Sequence, residues 1–548
     1  AASSQALGLF GNRGLLLHPG AFLCHSPLRA YLCSMDWKQN LLHLEQSPYL
    51  LQHKDNPVWW QAWSPQSLTI AQENNRLLII SIGYSACHWC HVMEHESFAD
   101  QEVAAVMNAR YLSIKVDREE RPDIDHRYMQ AAMLTSRQGG WPLNAIALPD
   151  GRPVFAGTYF PKERWLVILN HFHRLWVEQP DKMIEAAEHL MQGMVRLDAP
   201  PQADTKPLPS LDAIHAWKQQ MYEKLDPEWG GPDRVPRFPM PAIALCFLAD
   251  EQALGDRIHT WLMRMVAGGI HDHLGGGFAR YSTDGEWLAP HFEKMLYDNG
   301  QLLEVFALAY KKDPNPLWKW AAEGILSWAN REMRSPDGRF MAALDADSEG
   351  EEGLFYTWPP EEIKALPSEA FEALTRHYEW APQGNFEGRL ILWNPKGRQD
   401  APDQADLAWM NLLWQKREQR PRPATDHKIL LGWNALMARG MALWALCTET
   451  NDKLLEQLNN CMEALWQHHA QNEGTQWWRL GKDHGRAIPA FLEDVAAMGL
   501  AMTATAQALN KPLWWQRAQI LAQSIIDTFS MPEGPLLSDL SEPDPITG

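Results

Sequence analysis

The chain has 548 residues, too many for one compact domain at about 150 residues each, so two to four domains are expected. Apolar residues make up 45% and charged residues 21%, a globular balance that excludes overall disorder. The 49 basic and 68 acidic side chains leave a charge of −19 with His neutral, which argues against nucleic acid as a partner, and no run approaches the roughly 18 apolar residues of a membrane span. Seven cysteines are too few for a disulfide scaffold and fit a reducing compartment, with the cytoplasm as the expected location. Cys246, Cys447 and Cys461 read as core residues in apolar helices, and Cys87 and Cys90 are the closely spaced pair. The 27 tryptophans suit deep aromatic-lined cavities or simply a large helical core.

The first 34 residues hold no Asp or Glu and resemble a mitochondrial transit peptide in composition, yet an extension upstream of a start at Met35 fits equally well. Residues 1–35 are therefore set aside as an extension, and a first domain is expected over 36–200. Ser64 and Pro65 open a helix running to about Asn75, and Leu77–Ile82 is a continuous apolar run of strand length. The turn Gly83–Ala86 leads to Cys87-His88-Trp89-Cys90 at the start of a helix with a break near Ser97. Tyr111–Val116 is a second strand ending in Asp117, followed by a helix around 123–134. Trp141-Pro142 precedes a third strand, Leu143–Leu148, and a turn at Pro149-Asp150-Gly151 leads into a fourth at Val154-Phe155. This is an α/β layout with a dithiol at a helix N-terminus.

A helix N-terminus carries unpaired N–H groups and about half a positive charge, which favours thiolate over thiol. Cys87, expected to be the more exposed, is then the nucleophile, and Cys90 one turn inward resolves the mixed disulfide. His88 adds positive charge when protonated, and a cis peptide at Pro142 would turn backbone polar groups towards an extended substrate. Other chemistries use the same residues. Cys87-His88-Trp89-Cys90-His91 matches the CxxCH haem-attachment pattern, zinc would recruit His91 and His95 beside the pair, and an inert structural pair is a further reading. The dithiol reading is preferred, with no metal and no cofactor expected.

The stretches Ser47-Pro48-Tyr49-Leu50-Leu51-Gln52-His53, Asn56-Pro57-Val58-Trp59, Ser81 to Met93, Lys115 to Asp123 and Gly139-Gly140-Trp141-Pro142-Leu143 resemble the spermatogenesis-associated protein 20-like family. The resemblance implies a thioredoxin-like domain followed by an all-α (α/α)6 toroid of the six-hairpin glycosidase kind, similar to N-acylglucosamine 2-epimerases. Asn75-Arg76-Leu77 departs from the family's usual Lys-Pro before the first strand.

The second half fits that expectation. A proline-bearing linker is expected at 201–210, with the toroid over 211–548. Helical patterns recur near 211–224, 241–253, 290–311, 317–334, 427–447, 452–470, 489–508 and 512–530. On a helix from 290, Glu293, Tyr297 and Gln301 would share one face, with His291, Lys294 and Asp298 on an adjacent stripe. Asp345, Asp426 (with His427 and Lys428) and Asp494 complete the candidate substrate-binding set, with His271 and His273 as further candidate bases. Buried polar networks that hold the ring together are the competing explanation for the same residues. The resemblance leads to the expectation of a toroid left unfinished at Gly548, as in a fragment or a chain that has lost its last hairpins.

Two functions follow from this reading. One is a thiol–disulfide oxidoreductase acting on a thiol or disulfide protein substrate recruited by the ring. The alternative is a sugar epimerase, isomerase or glycoside hydrolase acting on a small carbohydrate, with a regulatory thioredoxin-like module. A pair of binding platforms without catalysis is a weaker third.

Overall fold

A computed structural model describes residues 37–198, 209–249, 255–398, 400–449, 451–484 and 488–530. The expectations for 1–35, for most of the 201–210 linker and for the chain after Ser530 lie outside the described residues. No helix among the described residues is long and apolar enough to cross a membrane.

The first domain contains α1 (Pro48–Gln52), β1 (Trp60–Ala62), α2 (Pro65–Glu73), β2 (Leu77–Gly83), α3 (His88–Met93), α4 (Gln101–Arg110), β3 (Tyr111–Asp117), α5 (Pro122–Thr135), β4 (Leu143–Ala147), β5 (Pro153–Gly157), α6 (Lys162–Glu178) and α7 (Pro180–Asp198). The five strands form one sheet in the order β1-β3-β2-β4-β5, parallel across β1, β3 and β2 and antiparallel at β4 and β5. Every residue of β2 is buried because its alternate side chains enter different cores. Leu77 and Ile79 pack with Trp60 and Phe98, whereas Leu78, Ile80 and Ile82 pack with Tyr128 and Ala131. This is a thioredoxin-like fold. The edge strand β1 and the long helices α6 and α7 were not anticipated. The break near Ser97 is a π-helical turn at Glu94–Phe98.

The second domain contains α8 (Leu211–Glu223), α9 (Pro241–Leu248), α10 (Asp256–Ala267), α11 (Leu296–Lys312), α12 (Pro316–Trp328), α13 (Ser368–His377), α14 (Gln404–Arg417), α15 (Leu431–Cys447), α16 (Asp452–His469), α17 (Leu492–Leu509) and α18 (Pro512–Phe529), with single-turn pieces between. Helices α11, α15 and α17 lie side by side, and each is backed by the helix that follows it. The sequence shows which layer is which. Helix α15 buries residues around its whole circumference, whereas α16 buries one stripe of Leu454, Leu458, Cys461, Met462 and Leu465. This is the inner-and-outer layering of an α/α toroid. Glycines set the approach of the inner helices: a Cβ on Gly300 would lie 2.7 Å from the Met437 nitrogen, and one on Gly440 2.6 Å from the Gly300 carbonyl oxygen.

Two expectations need correction. The helix expected from 290 begins at Leu296, because Met295 is still extended (φ −95°, ψ 139°). Residues before it form short strands: Pro290–His291 pairs with Tyr281–Ser282, and Lys294–Met295 pairs with Ala343–Leu344, which also pairs with Thr425–Asp426. Of the cysteines read as core, Cys461 is buried, Cys447 is half-buried and Cys246 is exposed. Helix α9 buries Pro241, Ala244 and Leu248, and Cys246 falls on another face. The two domains meet in a continuous apolar contact, since Met295 and Ala343 are buried in the core cluster that holds Cys87, Cys90 and Tyr49.

Candidate functional site at the domain junction

Strand β2 ends at Gly83, where a Cβ would lie 2.7 Å from the Cys90 sulfur, so a bare backbone makes room for the dithiol. Cys87 is the N-cap of α3, and its Sγ accepts a hydrogen bond from the Cys90 N–H at 3.3 Å. The two cysteines are joined as a disulfide. Cys87 is 3% exposed and Cys90 1%, so the expected difference in access is small. The helical domain lies over this end of the sheet. Trp141-Pro142 is a cis peptide immediately before β4, whose Leu143 pairs with Ile82 of β2, placing Pro142 at the dithiol end of the sheet.

The histidines around the dithiol are held from the other domain. Asp347 accepts from His88 Nδ1 at 2.8 Å and from His91 Nδ1 at 3.2 Å. His91 Nε2 donates to the Ser85 carbonyl at 2.9 Å and lies 3.7 Å from Asp345. The hydrogen bond to Asp347 raises the His88 pKa. Burial opposes charge on His91, but the bond to Asp347 and the nearby Asp345 lift it to about 9. Burial lifts the Asp345 carboxyl to about 6. His291 sits beside this group, its ring 6.3 Å from that of His88 and its Nδ1 hydrogen-bonded to Glu352.

Behind it, Glu293 is fully buried. Its Oε1 accepts from Tyr84 Oη and from Arg280, both at 2.9 Å, while its Oε2 has no partner. Asp298, in the first turn of α11, is buried and raised to about 7 by desolvation. Glu293 therefore precedes the helix and does not share a face with Tyr297 and Gln301, and Lys294 turns away to Asp272 at 2.7 Å. The strand pairing at Lys294–Met295 alternates neighbouring side chains, which undoes the helical stripe expected there.

A cavity of about 410 Å³ opens between the domains. Tyr297 and Gln301 of α11, Trp433 of α15 and Asp494 of α17 line one side, and Arg118 and Glu119, following β3, line the other. Arg479 spans the junction, with its Nε donating to the Glu119 carbonyl at 2.6 Å and its Nη1 lying 2.8 Å from Glu493 and 2.9 Å from Asp494. Lys428, fully buried, pairs with Asp117, with Glu119 at 2.9 Å and with Asp426 at 3.1 Å. Burial raises Glu119 to about 7, and Lys428 offsets only part of that rise.

Of the candidate residues, His88, His91, His291, Glu293, Asp298 and Asp345 gather around the dithiol side of the junction, while Asp426 and Asp494 lie on the cavity side. His271 and His273 belong to neither group: each bonds a backbone carbonyl deep in the helical domain. His427 is exposed against Met341. Among the residues that build the junction, Tyr84, Arg118, Glu119 and Lys428 lie inside motifs singled out in the sequence but carried no sign of their partners. Arg479 is a lone charge in a strand and had no signal at all.

A family model described as "Thioredox_DsbH: Protein of unknown function, DUF255" matches residues 39–195, the first domain. Spermatogenesis-associated protein 20 of Homo sapiens is 33% identical over 485 residues, 78% of this chain and 61% of that protein. The Rattus norvegicus protein of the same name is 34% identical over 483 residues, again 78% of this chain and 61% of the relative. Over that stretch the chain is similar to spermatogenesis-associated protein 20. It spans about three fifths of the length of those relatives. Among solved structures, a cellobiose 2-epimerase from Bacillus thermoamylovorans B4167 aligns with 59% of this chain and 74% of its own, at 9% identity and TM-score 0.35. A thioredoxin from Thermus thermophilus aligns with 21% of this chain and 85% of its own, at 21% identity and TM-score 0.18.

Proposed function

We propose that this protein is a thiol–disulfide oxidoreductase, with the helical domain forming the surface that selects its substrate. The observation that carries the reading is the place of Cys87, whose sulfur caps a helix and accepts the Cys90 N–H. The helix end supplies partial positive charge where a thiolate would form. In the reduced state the Cys87 thiolate attacks one sulfur of a substrate disulfide and expels the other as a thiolate, which takes up a proton. Cys90 then gives up its proton and attacks Cys87 Sγ, releasing the second substrate thiol and leaving the Cys87–Cys90 disulfide. A dithiol reductant restores the starting state. The domain division at 36–200 and 211–548 and a cytoplasmic location belong to the same proposal. The trapping experiment is direct: Cys90→Ser should accumulate a mixed disulfide through Cys87, and Cys87→Ser should abolish reduction of insulin disulfides. Insulin reduction that survives Cys87→Ser sinks the proposal.

The cavity supports a second reading, the binding or processing of a small carbohydrate. Trp433 offers an aromatic face beside the polar groups Tyr297, Gln301, Arg479 and Asp494, a combination suited to a polyhydroxylated ligand. A thermal-shift screen of neutral and acidic sugars, repeated on Trp433→Ala, tests it. A shift that Trp433→Ala leaves unchanged rejects the cavity as the site.

A further inference from the structure

The residues that surround Asp347 meet the requirements of a metal site as well as those of a salt-bridge network. First, the donor atoms are close: His88 Nδ1 and His91 Nδ1 each lie against the Asp347 carboxylate, at 2.8 and 3.2 Å. Ligand atoms of His91, Asp345 and Asp347 all fall within 4.8 Å of one another. Second, the polarity of the rings is set from outside. His91 Nε2 faces the Ser85 carbonyl at 2.9 Å, and a carbonyl only accepts, so Nε2 carries a hydrogen. In the neutral ring Nδ1 then presents a lone pair towards a carboxylate oxygen that also only accepts. Two acceptors this close call for a cation between them, either a second proton or a metal ion. His88 Nε2 lies 3.9 Å from Glu352, beyond hydrogen-bond reach, so its Nδ1 is free to face Asp347 either as a donor or as a ligand. A carbonyl or carboxylate on the far nitrogen is the usual orienting partner of a metal-bound imidazole.

Third, the spacing presents the four side chains together. His88 and His91 are three apart on α3 and share a face, while Asp345 and Asp347 flank a bend at Ala346 between two short strands, and both carboxylates reach the His91 ring. The Asp347 N–H occupies only Asp345 Oδ1, at 3.0 Å, and leaves Oδ2 beside the His91 ring, 3.7 Å from its Nε2.

The geometry points to a divalent-cation site formed by His88 Nδ1, His91 Nδ1 and the carboxylates of Asp345 and Asp347. Two neutral imidazoles and two carboxylates balance a 2+ charge, and the mixed nitrogen and oxygen set selects Zn²⁺ and its first-row neighbours over Mg²⁺ or Ca²⁺. The ligands come in equal numbers from the two domains, so the ion fastens the helical domain over the dithiol. It uses neither cysteine, and His95, the other ligand in the sequence-level zinc reading, is exposed on the next turn. The remaining His/Asp cluster among the described residues, Asp337, His468 and Asp483, already holds a cation, the Arg339 guanidinium.

The test uses the full chain, stripped with chelator and titrated with Zn²⁺ and with Co²⁺, whose visible absorption reports the ligand field. The Cys87→Ser/Cys90→Ser protein should bind one equivalent as tightly as wild type. Asp347→Asn and His91→Gln should each weaken that equivalent at least 100-fold, and Asp337→Asn should not. Circular dichroism checks that each variant is folded, and His91→Gln decides if Asp347→Asn is not. Three results overturn the assignment: loss of the ion with the cysteines, binding unaltered by His91→Gln, or no stoichiometric binding in wild type. The proposal stands or falls without reference to disulfide exchange.

Discussion

Lys428 is the most consequential single charge at the junction. It is fully buried on the helical domain and reaches the end of β3, where Asp117, Glu119 and Asp426 surround it. The Ser47 hydroxyl and the Glu119 N–H also donate to Asp117, at 2.6 and 2.9 Å, yet Glu119's own carboxylate depends on Lys428. Replacing Lys428 with Met keeps the volume of the stem but strands three buried carboxylates. Removing one member of a buried ion pair costs about 3–5 kcal/mol. The deficit should depend on pH with a definite sign. The Glu119 carboxyl stands at about 7 in the folded protein, above its unfolded value, so the stability it contributes is present in acid and lost as pH rises through that point. Without Lys428 it rises further, and protonation relieves the variant at about 1.4 kcal/mol per pH unit. Lys428→Met should therefore cost about 4 kcal/mol at pH 8.5 and about 2 kcal/mol at pH 5.5. Urea titrations at the two pH values measure this, and adding Glu119→Gln should recover about half of the loss at pH 8.5. A deficit below about 1 kcal/mol at pH 8.5, or one that does not change with pH, would refute the reasoning.

Two further outcomes follow from the packing and the buried acids. Gly300→Ala should lower the midpoint of thermal unfolding and cost about 1–3 kcal/mol, because its Cβ meets the backbone of α15 and no flexible side chain can give way; an unchanged midpoint means the helices are further apart than described. Burial holds the Asp298 carboxyl at about 7, so its contribution to stability is present in acid and lost as pH rises from about 4 to about 7. Asp298→Asn removes that dependence, and its stability relative to wild type should grow between pH 5 and 8 by about 2 kcal/mol or more, measured by denaturation at each pH.

Local chemistry was legible in the sequence wherever it is written in neighbouring residues. The apolar run Leu77–Ile82, the N-cap position of Cys87, the strand at Tyr111–Asp117 and the helices α15 to α18 follow from periodicity, capping and turn residues, and the structure has them within a few residues. The density of motifs around the dithiol also announced a site. Neither β1 nor the start of α11 could be read this way. Three residues are a strand only because β3 lies beside them, and Lys294–Met295 is extended only because Ala343–Leu344 pairs with it. The same limit hid the partners of the charges. The sequence contains His88, Asp347, Glu119, Lys428 and Arg479 as separate ionisable residues, and nothing local distinguishes them from a solvated surface. Their distances come from packing the helical domain onto the open end of a thioredoxin-like sheet, which joins residues 259 positions apart in the case of His88 and Asp347. A charge is recognised locally, but whether it is buried, and against which other charge, is a property of the closed chain, because desolvation and Coulomb energy depend on distance in space and not on distance in sequence.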